Sequence, residues 1–315
     1  MTKAPPGQPI VILGPTATGK SATAIDVALT VGGEVISADS RAFFRGLDIV
    51  TDKPSPALRA RIRHHLIDII EPTGAYDAMA FRNDVERLIP QIAARGAAPL
   101  LVGGGTLYLG AVLRGIFSGP SADPDLRRKL LSEPLPRLYE RLQKVDPIAA
   151  ARIHENDRLR IVRALEVRAL TGRPISALQQ EAEPLPYRFL RFGLWRERDD
   201  HRRVIARRVA VMLRAGLIDE VTRLREAGLG PSHQAYRTIG VRETYRYLDG
   251  SLTKAQLTER ITRNSWALAR RQLTWFRREE SVDWIPVTGK TAKEVASEIV
   301  SRLRAPRAER LRPLP

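Results

Sequence analysis

The residues best equipped for chemistry lie between Gly14 and Ser21, in the stretch GPTATGKS. It fits G-x-x-x-x-G-K-[ST] at every fixed position, and it stands between the apolar run PIVIL and a helix-length segment, the context that confirms the motif. Gly14, Pro15, Thr16, Ala17, Thr18 and Gly19 form a loop whose backbone N–H groups can turn inward around an anion. The following helix adds its positive end, Lys20 adds a point charge, and the Ser21 hydroxyl can hold Mg²⁺. Such a loop binds a diphosphate or a triphosphate.

A nucleotide hydrolase needs more. The strand APLLV is followed by glycines where a Walker-type carboxylate would stand, and no N-K-x-D signature occurs. The acid at a strand end is Asp39, in VISADS. If that strand neighbours the phosphate-loop strand, its carboxylate faces the phosphate site, where it could bind Mg²⁺ or act as a general base. Spacing alone fits a turn or helix-cap aspartate equally well. In VGGGTLYL (102–109) three glycines end another strand, and a tight turn and a ligand-binding loop are equally consistent with them. His64 and His65, adjacent on a strand, point to opposite faces, which argues against a shared metal.

The elements that must position these groups read as α/β. PIVILG, EVISAD, HLIDII and APLLVGG are short apolar runs separated by helix-length pieces, the pattern of a P-loop-type parallel sheet flanked by helices. From GPSADPDLRRKL onward, Arg- and Leu-rich helices predict a helical insertion. The expected organisation is a core over 1–122, a helical insertion over 123–183, core completion with basic helices over 184–304, and a disordered tail over 305–315. The segment 187–195 reads as a strand returning to the sheet, and 199–226 as one long helix. A second long helix is expected over 253–280. At about 100° per residue it places Leu257, Ile261, Leu268 and Trp275 on one side, with Arg260, Arg263, Arg270 and Arg277 opposite. VDWIPV reads as a last strand.

Charge and composition bound the function. The chain of 315 residues carries 52 Lys+Arg against 35 Asp+Glu, a net of +17, and no cysteine, which excludes disulfides and thiol catalysis. Residues 1–122 hold 12 basic and 10 acidic residues, and residues 123–315 hold 40 and 25. The excess beyond the phosphate loop fits a polyanion-binding surface, and charge alone fits a solvated Arg-rich surface as well. No apolar run reaches the roughly 20 residues of a membrane span, and MTKAPPGQP lacks the regions of a signal peptide. The expectation is a cytoplasmic protein with no membrane partner.

Eight stretches in order carry a family resemblance: GPTATGKS, ISADSRAFFRGLDI, HHLIDIIEP with YDAMAF, LLVGGGTLYL, PSADPDLR, ARIHENDRLRIVRALEV, RTIGVRE and RRQLTWFRR. Over nearly its whole length the chain resembles the tRNA dimethylallyltransferases (tRNA isopentenyltransferases). The resemblance implies that the loop grips the diphosphate of dimethylallyl diphosphate with Mg²⁺, held by Ser21 and Asp39, and that no nucleotide is hydrolysed. It implies that the exocyclic amine of the adenosine beside the tRNA anticodon attacks the allylic carbon. Asp39 matches the family's general base and Arg237 the arginine that contacts the diphosphate; Thr106, one place after the family's active-site threonine, takes its role if the loop shifts by one residue. The implied tRNA contacts are Asp39, Ser40, Arg41, Ala42, Gly105, Arg127, Leu159, Arg160, Ile161, Val162, Arg163, the stretch from Arg237 to Arg242, Arg270, Arg271, Gln272, Trp275 and Arg277. The implied partner is the anticodon stem-loop, met by a monomer.

Three departures stand out. Gly105 occupies the place of the family threonine, with Thr106 one residue later; DSRAFF replaces the usual DSRQVY; and DIVTDKP replaces DIGTAKP. The last resembles the adenylate isopentenyltransferases, which keeps prenyl transfer to free adenine nucleotides as the runner-up, although those enzymes need no large cationic surface. A small-molecule P-loop kinase ranks third, since it would not call for the tRNA-side motifs. A non-catalytic RNA-binding module would leave the phosphate loop and Asp39 unexplained.

Overall fold

The computed structural model describes residues 8–304; the tail expected at 305–315 lies outside the described residues. Six strands form one parallel sheet: β1 (Ile10–Leu13), β2 (Gly33–Ser37), β3 (His64–His65), β4 (Ala98–Gly103), β5 (Leu190–Trp195) and β6 (Val282–Pro286). Their order is β3-β2-β4-β1-β5-β6, so β1, fully buried, sits at the centre with the phosphate loop at its carboxyl end. Ile25, Val27 and Ala28 of the Lys20–Val31 helix and Ile299 and Leu303 of the Ala292–Arg304 helix cover β1, β4 and β5 in one apolar core. Continuous apolar strands are what a sheet covered on both faces requires.

Two strand expectations are corrected. β4 lies between β1 and β2, so the strand that leads to Asp39 is not the neighbour of the phosphate-loop strand. Of the HLIDII run (65–70) only His65, with His64 before it, joins the sheet, and Ile70 makes an isolated parallel bridge with Phe44. Leu66 and Asp68 both adopt left-handed backbone, which turns the chain out of the ladder, and Lys53 and Arg59 tie the Asp68 carboxylate at the bend. His64 Nδ1 pairs with the Ile62 carbonyl and His65 Nε2 with Glu34, so each ring has its own protein partner.

The helix expected over 199–226 is two, Arg198–Arg214 and Leu217–Glu226, broken where Gly216 takes φ 96°. The helix expected over 253–280 is Lys254–Phe276, started by a reciprocal Thr253–Gln256 capping box. Its buried face also differs from the expected stripe. Leu257 and Ile261 are buried, but farther along Ala269, Gln272 and Phe276 are the buried residues, and Leu268 and Trp275 are half-exposed. The first half packs in the core around Leu217, Val221 and Val241, whereas Gln272 turns to the phosphate loop, so one helix buries two different arcs.

The chain forms two compact units, one made of the parts before Gly110 and after Leu185, the other running from Gly110 to Leu185. The second thus begins ahead of the expected residue 123. Its entering and leaving segments are held together: Leu185 N–H donates to the Val112 carbonyl, and Gly115 touches the Glu183 backbone so closely that a Cβ would lie 2.5 Å from it. Within this unit the Arg158–Thr171 helix buries Ile161, Val162 and Leu165 against Leu138 and Leu142.

Candidate functional site

The site grows from the turn after β1. Gly14, at φ 147°, passes so near β5 that a Cβ would sit 2.4 Å from the Leu194 carbonyl oxygen, so only glycine fits. Ala17 and Gly19 also take left-handed backbone, and Thr18 Oγ1 and Lys20 Nζ both donate to the Pro15 carbonyl, at 2.9 and 2.7 Å. Gly19 leads directly into the Lys20–Val31 helix, with Ser21 exposed on its first turn. The helix's unpaired N–H groups and positive end thus sit beside the loop. Burial lowers the Lys20 ammonium to about 8; the nearby Arg208 pushes the same way and Asp39 opposes them.

Asp39 reaches this place although β4 intervenes, and the glycines at the end of β4 are the reason. A Cβ on Gly103 would lie 2.4 Å from the Ala38 backbone, one on Gly104 would lie 3.0 Å from the Gly14 carbonyl oxygen, and one on Gly105 would lie 2.6 Å from the Ala38 carbonyl oxygen. The ends of β1, β4 and β2 therefore converge as bare backbone, with Ala38 and Gly105 also hydrogen-bonded at 3.1 Å. The carboxylate of Asp39 is exposed, and one oxygen accepts the Arg41 N–H at 2.9 Å. Thr106 is the first residue of the helix that follows, half-exposed.

The cations around the loop come from a helix that sequence reasoning left without a role. From Arg198–Arg214, Arg208 Nη1 donates to Thr16 Oγ1 while its Nε pairs with Asp52 at 2.9 Å. His201 Nε2 meets the Thr16 carbonyl at 2.8 Å, and burial lowers its pKa, so the ring is neutral and donates there. Arg196, just before that helix, donates to the Ala17 carbonyl at 3.2 Å. The available signal was position: this helix follows β5, the strand beside β1, at the sheet edge where ligands bind, and His201 and Arg208 are two turns apart on one face. Arg237, expected at the diphosphate, lies near Arg41, as does Arg242; burial lowers the Arg41 guanidinium, Asp39 opposes it, and the two arginines add their repulsion. Arg41 Nη1 donates to the Gln234 carbonyl. Gln234, which sequence reasoning also missed, ties Tyr76 and Tyr108 together through its side-chain amide.

The expected RNA face divides into residues that the structure exposes and residues that it buries. Arg270, Arg271 and Arg277 are exposed and Ser40, Arg41 and Trp275 half-exposed. Beside Arg270 and Arg277 a cleft of about 380 Å³ is lined by Trp195, Arg196, Arg198, His201 and Trp266. In the helical unit Leu159 is 68% exposed and Arg160 is exposed, while Arg127 and Arg163 both pair with the fully buried Glu166. Ala42, Ile161 and Val162 are core residues, so their side chains offer nothing to a ligand. Gln272 is 9% exposed with its amide spent inside the protein. These four belong to the contacts that the family resemblance implies, and the helix or turn faces their side chains inward.

The model for the IPP transferase family matches residues 42–279. Among similar proteins, the tRNA dimethylallyltransferase of Geobacter sulfurreducens is 44% identical over 282 residues, 88% of this chain and 91% of its own. That of Thermomicrobium roseum is 43% identical over 298 residues, 93% and 90% of the two chains. The solved tRNA isopentenylpyrophosphate transferase of Bacillus halodurans superposes with a TM-score of 0.68 at 36% identity, covering 94% of this chain and 97% of that one. A eukaryotic dimethylallyltransferase solved acting on tRNA has a TM-score of 0.80 at 24% identity and 97% coverage of this chain, 82% of its own, a likeness of fold.

Proposed function

Because this chain belongs to the IPP transferase family, alongside the tRNA dimethylallyltransferases, we propose that it moves a dimethylallyl group from dimethylallyl diphosphate to N6 of the adenosine beside the anticodon of tRNA. The observation that carries the reading is the meeting, through three glycines, of a cation-rich diphosphate loop with one exposed carboxylate, Asp39.

The residues then divide the reaction between them. The loop N–H groups, Lys20 and Arg208 take the charge that grows on the departing diphosphate as the allylic C–O bond breaks. The amine nitrogen forms the new bond to that carbon, and its proton passes to Asp39. Arg41, Arg237 and Arg242 give the RNA backbone a cationic approach to Asp39. Bringing the base to the carboxylate requires it to leave the anticodon stack.

Mg²⁺ fits the donors present. Ser21 and Asp39 offer only oxygen, which suits a hard cation, and substrate oxygens complete the set, since no cluster of three metal-ligating side chains occurs among the described residues. The Arg41 N–H already holds one Asp39 oxygen. We therefore assign the cation chiefly to Ser21 and the amine proton to Asp39; bound there, Mg²⁺ supplies further neutralisation of the diphosphate. The reading carries with it a cytoplasmic monomer without a membrane partner; no helix among the described residues is long and apolar enough to cross a bilayer.

The test is transfer of labelled dimethylallyl from its diphosphate, with Mg²⁺, to unmodified tRNA. Labelling of tRNA at the adenosine beside the anticodon is expected, and labelling of AMP or ATP in its place would move the protein to the adenylate class. Asp39→Ala should abolish turnover while tRNA is still retained on a filter. Full activity in that variant would remove Asp39 as the base.

A further inference from the structure

Gln272 lies in RRQLTWFRR, between arginines expected to meet RNA, yet its side chain points the other way. Its Oε1 accepts the backbone N–H of Thr16, inside the phosphate loop, at 2.9 Å. Its Nε2 donates to the carbonyl of Gly104, at the end of β4, at 2.7 Å. The fit is close: a Cβ on Gly104 would lie 2.7 Å from that same Nε2. One side-chain amide therefore joins the phosphate loop to the glycine corner that brings Asp39 to it, and it does so from the helix that displays Arg270, Arg271 and Arg277.

We infer that Gln272 is a positioning residue for the diphosphate loop, and that it serves the prenyl-donor side of the reaction and not the RNA side. The physical case rests on what an amide alone can do at this point. Thr16 N–H, half-buried, needs an acceptor and the buried Gly104 carbonyl a donor, and a primary amide supplies both at once. With the amide gone, the buried Gly104 carbonyl and the half-buried Thr16 N–H lose their partners, and the loop loses its only side-chain link to the end of β4 among the hydrogen bonds of the described residues. The arginine that touches Thr16 from the opposite side, Arg208, would then act on a loop free to shift. A preorganised set of donors is what makes such a loop bind a diphosphate tightly.

The inference rests on the proposed prenyl transfer, and its test has an arm that does not depend on turnover. Binding of inorganic pyrophosphate with Mg²⁺ is measured by calorimetry, and binding of unmodified tRNA by filter retention, for wild type, Gln272→Ala and Gln272→Glu. Gln272→Ala should weaken pyrophosphate about tenfold, the equivalent of one to two lost hydrogen bonds, with tRNA binding within about twofold of wild type. Gln272→Glu keeps the shape and the acceptor for Thr16 but sets a carboxylate oxygen against the Gly104 carbonyl, so it should weaken pyrophosphate at least as much, its fold being checked by circular dichroism. In steady state the KM for dimethylallyl diphosphate should rise while that for tRNA holds. Weakened tRNA with unchanged pyrophosphate in either variant would overturn the inference and return Gln272 to the RNA face. If Gln272→Ala does not fold, Gln272→Glu alone decides. Wild-type protein that binds pyrophosphate but labels no tRNA would refute the transfer reaction and leave the pyrophosphate comparison intact.

Discussion

Lys20 sits at the amino end of its helix with its ammonium donating to the Pro15 carbonyl, and burial lowers it from 10.5 to about 8. A diphosphate placed in the loop restores the missing counter-charge and raises it again. If only the ammonium form grips the ligand, the apparent Kd grows as one plus the ratio of neutral to charged lysine. That is about twofold at pH 8 and about tenfold at pH 9, relative to pH 7. The assay is calorimetric titration with dimethylallyl diphosphate in the absence of tRNA, so that no turnover occurs; the ligand's own ionisation is nearly complete by pH 7. Repeating it at pH 9 in buffers of different ionisation heat should show uptake of close to one proton. Lys20→Arg, whose charge does not titrate in this range, should flatten the profile even if it binds more weakly. A Kd level from pH 7 to 9, or an identical slope in Lys20→Arg, would refute the assignment. Folding runs in the other sense. The folded pKa lies below the unfolded one, so the unfolded chain binds more protons between about pH 8 and 10.5. The Lys20 contribution therefore raises stability as pH rises through that window.

Two further outcomes follow from other parts of the molecule. Glu220 is buried and accepts the N–H groups of Asp48, Ile49 and Val50, at 3.0, 2.7 and 2.9 Å, anchoring the segment that leads to Asp52 and Lys53. Glu220→Ala should cost about 3 kcal/mol in urea unfolding, with Glu220→Gln in between; a loss below about 1 kcal/mol would mean that water replaces the carboxylate without penalty. Reversing both Arg270 and Arg277, exposed beside the tryptophan-lined cleft, to Glu should weaken tRNA binding and reduce the slope of log K against log salt by about 1.5 to 2. An unchanged slope would make the stripe a solvated face.

Much of this protein is determined by local sequence. Glycine at 14 and 19 and lysine at 20 dictate the phosphate loop, because its backbone angles and charge come from neighbouring residues. Continuous apolar runs dictate buried parallel strands, and the ordered motifs identify the family on their own. What the sequence does not contain is which strand neighbours which and which arc of a helix faces inward. Those are settled by contacts between residues far apart in the chain. β4 enters between β1 and β2, and only the glycines packed at its end let Asp39 meet the loop. Arg208 reaches Thr16 from a helix that begins after β5, and although its spacing from His201 puts the two on one face, only the packed chain turns that face to the loop. Gln272 reads as one more polar residue in a basic stretch. Its inward turn exists because Thr16 and Gly104 present a donor and an acceptor within reach of one amide, a pairing that only the packed chain creates.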